Sequence, residues 1–471
     1  MNRKFNTIKE YIDNLEAINN EKCWLLRDEE NEETKYCLLK EDNSFIIKKN
    51  ILKDEVYDVS TLKYLNLNDK QLLNTEEERI IITDSMFKSL NFIETVTYNI
   101  TSFESEKFRK NSFFQLVINS KKKDLYLDFI FENKINISTE EYRKLGNGIA
   151  FEIKDIPFNL YFINDYLVIE NTKELTFEDF DKYSRTTLTC FGLLTGYIPR
   201  NEGYYFSYKN NNFENTKEYA YTSNFLNTYN VSYRPINSNL FYSFMPRSIS
   251  ENERNNFRNN AQENLFLISN TTFSKLCNLN ITDKKISRAT ELIMEANQTS
   301  IEGQGIIYSV VLEILTSYLA IKHEKELTPI TDKTQAKRLR SELHEVAKNY
   351  LSPYKDSSIS KKIDGINSLT NMDKLLKPFE FLDINLNDID KKIINYRNDF
   401  LHGNDFVEGE KLLEFANNHF YINCKLNFLV YALLLKIVGH HGKIVNMVKI
   451  YLEHDERVKD EEFYRDIGSI P

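Results

Sequence analysis

Asp390-Lys-Lys-Ile-Ile-Asn-Tyr-Arg397-Asn398-Asp399-Phe400-Leu401-His402-Gly403-Asn404 is the stretch that decides the fold of the C-terminal half. With Ile389 in front of it, the apolar residues Ile389, Ile393, Tyr396 and Phe400 recur at i, i+4, i+7 and i+11, the period of an amphipathic helix. Arg397, Asn398 and His402 fall off that stripe. Gly403 and Asn404 supply a helix stop, which puts His402 at a helix C-terminus, where the macrodipole favours a protonated ring.

Outward from this segment the helical period holds from about residue 280 to about residue 452. It predicts helices over 282–297, 303–322, 332–351, 357–369, 371–380, 385–402, 407–438 and 442–453. Thr331 or Asp332, Asn385 with Asp388, and Asp405 with Glu408 place side-chain oxygens where the first N–H groups of three of these helices need acceptors. Residues 453–466 are charge-dense and net acidic, the pattern of a solvated tail.

Before residue 280 the pattern is different. Short runs of β-branched and aromatic residues alternate with Asn, Asp, Ser, Gly or Lys clusters. They predict strands over 34–39, 44–48, 80–82, 92–98, 112–118, 125–131, 158–163, 166–169 and 204–208. Helices are expected over 7–18 and 176–197, the second opened by a Thr176-x-x-Asp179 capping box. The Asn- and Tyr-rich stretch 210–239 reads as a long loop. The expected architecture is therefore α+β and multidomain: a β-rich region over 1–280, as one domain or two, an all-α bundle over 281–452, and an acidic tail over 453–471.

Composition narrows the classes. A chain of 471 residues, 41% hydrophobic, can bury more than one core. No run approaches the ~18 unbroken apolar residues of a membrane span and the N-terminus lacks a signal-peptide core, so a cytoplasmic protein is expected. The net charge of −9 excludes a protein coated in nucleic acid and restricts any such contact to a local patch. Cys23, Cys37, Cys190, Cys277 and Cys424 are scattered, with no C-x-x-C spacing, and read as reduced thiols.

All seven histidines lie beyond residue 322, so imidazole chemistry belongs to the helical part. On one helix Asn398 and His402 stand one above the other, whereas Arg397 and His402 are about 140° apart around the axis. One helix alone does not close both onto one phosphate, but two such helices facing each other across a symmetric dimer do. The bland alternative is a surface Arg397 paired with Asp399 or Asp390 and a capping His402. Glu313, a lone carboxylate in an apolar helix, is either a partner of Arg397 or an edge residue. Lys337, Arg338 and Arg340 form the densest basic cluster, a candidate RNA contact or a solvated face. His440-His441, between Gly439 and Gly442, has no metal-ligand spacing and reads as a turn. Gly303-Gln304-Gly305 lacks the strand and the Gly-Lys-Ser/Thr of a phosphate loop.

The Arg397-Asn398-x-x-x-His402-Gly403 string resembles the R-x4-6-H signature of the HEPN superfamily. The long apolar helix around Ile306 to Tyr318 looks like the opening helix of such domains. The β-rich region followed by a bundle is similar to the ApeA-like abortive-infection proteins of bacteria. The resemblance covers the C-terminal ~190 residues, and the rest in outline. It implies a metal-independent ribonuclease without cofactors, acting as a homodimer or higher symmetric oligomer on RNA such as tRNA and released by a phage-derived trigger. His402 would be general acid or base at the ribose 2′-hydroxyl, Arg397 would hold the scissile phosphate, Asn398 would orient the imidazole, and Glu313 and Asp399 would support them. The rivals are a non-catalytic HEPN dimerisation module and a toxin silenced by an antitoxin.

Overall fold

The computed structural model describes residues 2–3, 9–10, 12–13, 24–28, 35–41, 44–50, 71–74, 79–91, 95–120, 130–132, 135–139, 146–163, 165–199, 202–213, 218–223, 226–231, 234–236, 250–252, 255, 267–350, 358–402, 412–452 and 455–468. The chain forms two compact units, Met1–Ser232 with Leu267–Asn278, and Tyr233–Phe266 with Leu279–Pro471. An antiparallel sheet fills the N-terminal half and helices the C-terminal half.

The first unit begins with β1 (Asn2–Arg3), β2 (Trp24–Asp28), β3 (Lys35–Glu41), β4 (Ser44–Asn50), β5 (Gln71–Asn74), β6 (Arg79–Asn91) and β7 (Thr95–Ser105). Strands β2 to β7 close on themselves in the order β7-β4-β3-β2-β5-β6 and back to β7. Closing a ring needs sharp curvature, and β6 obtains it from register shifts at Ile82/Asp84, Asp84/Ser85 and Phe87/Ser89. One edge of β7 is shared. Residues 95–100 pair with β4, and 102–104 pair with a strand of the sheet that continues outward.

That sheet comprises β8 (Asn111–Asn119), β9 (Ile135–Thr139), β10 (Gly146–Ile153), β11 (Ile156–Ile163), β12 (Tyr166–Asn171), β13 (Leu175–Thr176), β15 (Gly203–Tyr208) and β16 (Tyr219–Thr222). Beside it lies the small pair β14 (Tyr197–Ile198) and β17 (Tyr229–Asn230). From β7 the order runs β16-β15-β8-β12-β11-β10-β9-β1. The β10–β11 hairpin turns on Lys154 and Asp155, both at positive φ (48° and 62°), the two-residue turn whose twist matches the strands.

Helix α1 (Phe177–Thr195) starts, as the capping box predicts, where Thr176 Oγ1 accepts the Asp179 N–H at 3.1 Å, and it stops at left-handed Gly196 (φ 69°), inside the range expected to be helical. It lays Phe180 against Phe114 and Phe158 at 5.2 and 6.2 Å between ring centres. A second aromatic cluster contains Phe45, Phe103, Val117, Tyr161, Val168, Tyr204 and Tyr221. Three charged side chains, Glu170, Lys40 and Glu202, are buried among the described residues of this unit. Glu170 accepts hydrogen bonds from Gln115, Asn159 and Tyr161, and Lys40 pairs with Glu202 at 2.5 Å beneath the rings of Phe45 and Tyr221.

The loop expected over 210–239 is corrected: 219–222 form β16, between β15 and β7. Tyr219, Ala220 and Tyr221 are all buried there, so a short run within an Asn-rich stretch carries core side chains.

The second unit receives the end of α2 (Asn270–Thr282), a helix that starts ten residues before the expected change of pattern; the units divide at 278/279. Residues 233–266, expected in the first region, also belong to this unit. Then come α3 (Lys284–Ala296), α4 (Ile301–Lys322), α5 (Glu324–Leu327), α6 (Lys333–Lys348), α7 (Ser358–Asp364), α8 (Asp373–Phe381), α9 (Asp388–His402) and α10 (Leu412–Ile437). Helices α4 and α10 form the centre, with α3, α8 and α9 against α4. Stretches of both are long and apolar enough to cross a membrane, yet 89% of the apolar window of α10 is buried inside the protein. A polar knot ties the centre together: Tyr308 Oη donates to Asn297 at 2.6 Å, and Asn427 Nδ2 donates to Tyr308 Oη at 2.7 Å.

Two C-terminal expectations are corrected. The helix predicted over 442–453 is a strand, β18 (Lys443–Val445), followed by short α11 (Met447–Tyr451); β18 pairs with β19 (Tyr464–Asp466). The predicted solvated tail is docked, with Val458 and Ile467 fully buried. Gly442, at φ 140°, breaks the helical run.

Candidate functional site

Helix α9 opens with a reciprocal cap. Asn387 Oδ1 accepts the Asp390 N–H at 2.8 Å and Asp390 Oδ2 accepts the Asn387 N–H at 3.2 Å, two residues later than the expected Asn385/Asp388 cap. The Asp405/Glu408 cap and the Gly403-Asn404 stop lie outside the described residues.

The buried face of α9 differs from the apolar stripe. Asp390, Ile393, Ile394 and Arg397 are buried, whereas Ile389 and Tyr396 are exposed. Arg397 was expected off the buried stripe and stands on it, because two charged residues on this face find partners. Arg397 Nη2 lies 3.2 Å from Glu313 Oε1 on α4, its side chain 10% exposed against 47% for Glu313. Asp390, fully buried, receives both ends of the Arg465 guanidinium, at 2.6 and 3.1 Å, with Lys425 Nζ at 4.0 Å. Asp390 is thus engaged by Arg465 and Lys425, and Glu313 is a carboxylate placed beside Arg397. Arg465 in turn lies over the Phe428 ring at 4.2 Å, and Lys425 pairs with Glu461, which accepts from Asn446 at 2.7 Å.

His402 is the last residue of α9, five positions past Arg397. The side chains of Asn398, Asp399 and His402 lie outside the described residues, as does any contact they make. No family model, curated protein or solved structure matches the chain.

The basic cluster is divided. Arg338 is turned to Glu342 at 2.8 Å, Lys337 is exposed and Arg340 is half-buried. No metal-ligating group of three or more His, Cys, Asp or Glu occurs among the described residues. Gly439 ends α10 at φ 83°, so His440 and His441 lie in the turn beyond it. Burial draws the His440 imidazole down to about 4, with a backbone hydrogen bond to Lys443 acting the other way. Cys190, Cys277 and Cys424 are free thiols, and burial pushes Cys424 up to about 12.

Sequence reasoning missed Asp390, Lys425, Glu461 and Arg465 as a network. Lys425 carried the same signal as Glu313, a single charge inside an apolar helix.

Proposed function

We propose that the protein is a metal-independent endoribonuclease of the HEPN type, acting in the cytoplasm in abortive infection against phage. The observation that carries the reading is the buried guanidinium of Arg397, paired with Glu313 of α4 and carried on α9, the helix that ends five residues later in His402. A desolvated guanidinium fork suits an RNA phosphate and the charge that builds on it.

In the proposed reaction an imidazole removes the 2′-hydroxyl proton, the 2′-oxygen attacks phosphorus, and the bond to the 5′-oxygen breaks. A proton returns to that leaving oxygen, giving a 2′,3′-cyclic phosphate and a 5′-hydroxyl. His402 is assigned the proton transfers, Arg397 the phosphate, and Asn398 the orientation of the ring. Because Arg397 and His402 are about 140° apart on the helix, the active form is a homodimer that lends each site residues from two copies. The exposed apolar side chains Ile306 and Ile321 of α4 and Tyr396 of α9 suit such a contact. The β-rich unit is the proposed sensor of the phage-derived trigger, and tRNA the proposed substrate.

The test is cleavage of total RNA in EDTA by wild type, Arg397→Ala and His402→Ala, with analysis of product ends. Cyclic-phosphate ends from wild type alone are expected. Equal activity in all three proteins overturns the reading. Inactivity of all three, with expression toxicity that persists in His402→Ala, supports a binding module instead.

A further inference from the structure

Helix α6 stands apart from the rest of its unit in chemistry and packing. It packs mainly on α7, and Ala336 is the one buried residue of its 16. Lys333, Lys337, Arg340, His344 and Lys348 recur at i, i+4, i+7, i+11 and i+15. At 100° per residue these positions share an arc of about 80°, and at 1.5 Å rise they extend over about 22 Å.

Acidic side chains engage two of the five members of this stripe, His344 and Lys348. Glu342, on the opposite side of the helix, is held by Arg338 at 2.8 Å. Glu345 is taken by Lys348 at 2.6 Å and Asp364 by His344 at 3.1 Å. Lys333 and Lys337 on α6, with Lys361 and Lys362 on α7, are exposed and form no ion pair among the described residues. In a chain of net charge −9, the two helices carry seven basic residues against three acidic ones.

We infer that α6 and α7 form an RNA-docking arm, in which the stripe of Lys333, Lys337 and Arg340, flanked by Lys361 and Lys362, follows the phosphate backbone of a single strand. The inference rests on the ribonuclease reading for its choice of polyanion. A step of four residues advances about 6 Å along the helix, comparable to the separation of successive phosphates on a strand. Contacts to phosphate position a strand and carry no base information, so the stripe grips without reading sequence. Lys337 and Arg340 keep the role considered for them, Arg338 is diverted to Glu342, and Lys333 joins them.

The test uses full-length protein carrying His402→Ala, so that a fluorescent single-stranded RNA of mixed sequence survives the titration. Lys333→Glu, Lys337→Glu, Lys361→Glu and Lys362→Glu are combined, and an unchanged circular dichroism spectrum and melting curve verify the fold. The combined variant is expected to bind at least about tenfold more weakly. Its log affinity should also fall less steeply with log salt, by about 0.7 for each phosphate that is no longer neutralised. Arg338→Glu should bind within about twofold of the parent. Unchanged RNA affinity in the combined variant overturns the inference. So does absence of RNA binding by the parent, or loss of binding to phosphatidylserine vesicles in place of RNA. Wild-type cleavage with unimpaired RNA binding by the combined variant removes the arm and leaves the ribonuclease. Lysine-dependent RNA binding without cleavage does the reverse.

Discussion

Arg465 holds Asp390 with both ends of its guanidinium, Nη2 to Oδ2 at 2.6 Å and Nη1 to Oδ1 at 3.1 Å. One residue caps the helix that carries Arg397, and the other belongs to a segment whose composition suggested solvent. Removing one partner of a buried pair strands the other charge, which costs about 3–5 kcal/mol. Arg465→Ala should therefore lower the unfolding free energy of the helical unit by that margin, read from urea titrations by circular dichroism. Lys425 remains near Asp390 at 4.0 Å, which places the loss at the lower end.

Glu313 orients Arg397 from a half-exposed position, so the pair contributes about 1 kcal/mol or less to stability. Glu313→Gln should leave the melting temperature nearly unchanged and lower the proposed RNA cleavage about tenfold through loss of guanidinium alignment. Unaltered cleavage would show that Arg397 is placed by its other neighbours.

His440 links stability to pH. Its imidazole lies at about 4 against an ordinary 6.5, lowered chiefly by burial, so between these values the unfolded chain binds a proton that the folded protein refuses. Stability consequently falls as pH drops from about 6.5 to 4, by about 3 kcal/mol over the full window for this group. His440→Gln does not titrate, and its stability should decline less than that of wild type between pH 7 and pH 5 in urea titrations.

Glu170 gathers three side chains inside the sheet. Glu170→Ala leaves Gln115, Asn159 and Tyr161 short of an acceptor and should destabilise the β-rich unit by about 3 kcal/mol. Glu170→Gln keeps one carbonyl acceptor and should cost clearly less. Denaturant unfolding followed by tyrosine fluorescence distinguishes the two.

Local signals made much of this architecture readable. The Thr176 capping box marked the start of α1, and runs of β-branched and aromatic residues in 112–118, 158–163 and 166–169 marked three neighbouring strands of one sheet. The rest depended on partners far away in sequence. Tyr219 and Tyr221 belong to a strand because β7 and β15 lie on either side of them, which no window around residue 220 contains. Arg397 faces inward because Glu313, 84 positions earlier, receives it. Periodicity assigned the inward face of α9 to Ile389 and Tyr396, since it counts apolar residues and does not register charges neutralised by pairing.

The ring of β2 to β7 has a kinetic consequence. The β6–β7 hairpin is local, but seating β4 against β7 joins residues about 50 positions apart, and β2 meets β5 across a similar gap. Such loops are closed at an entropic cost before the contacts repay it, so the β-rich half should acquire structure more slowly than the helices that follow it. A chain halted before Thr95 would present strands with unsatisfied edges, making newly synthesised N-terminal segments the part most dependent on chaperones.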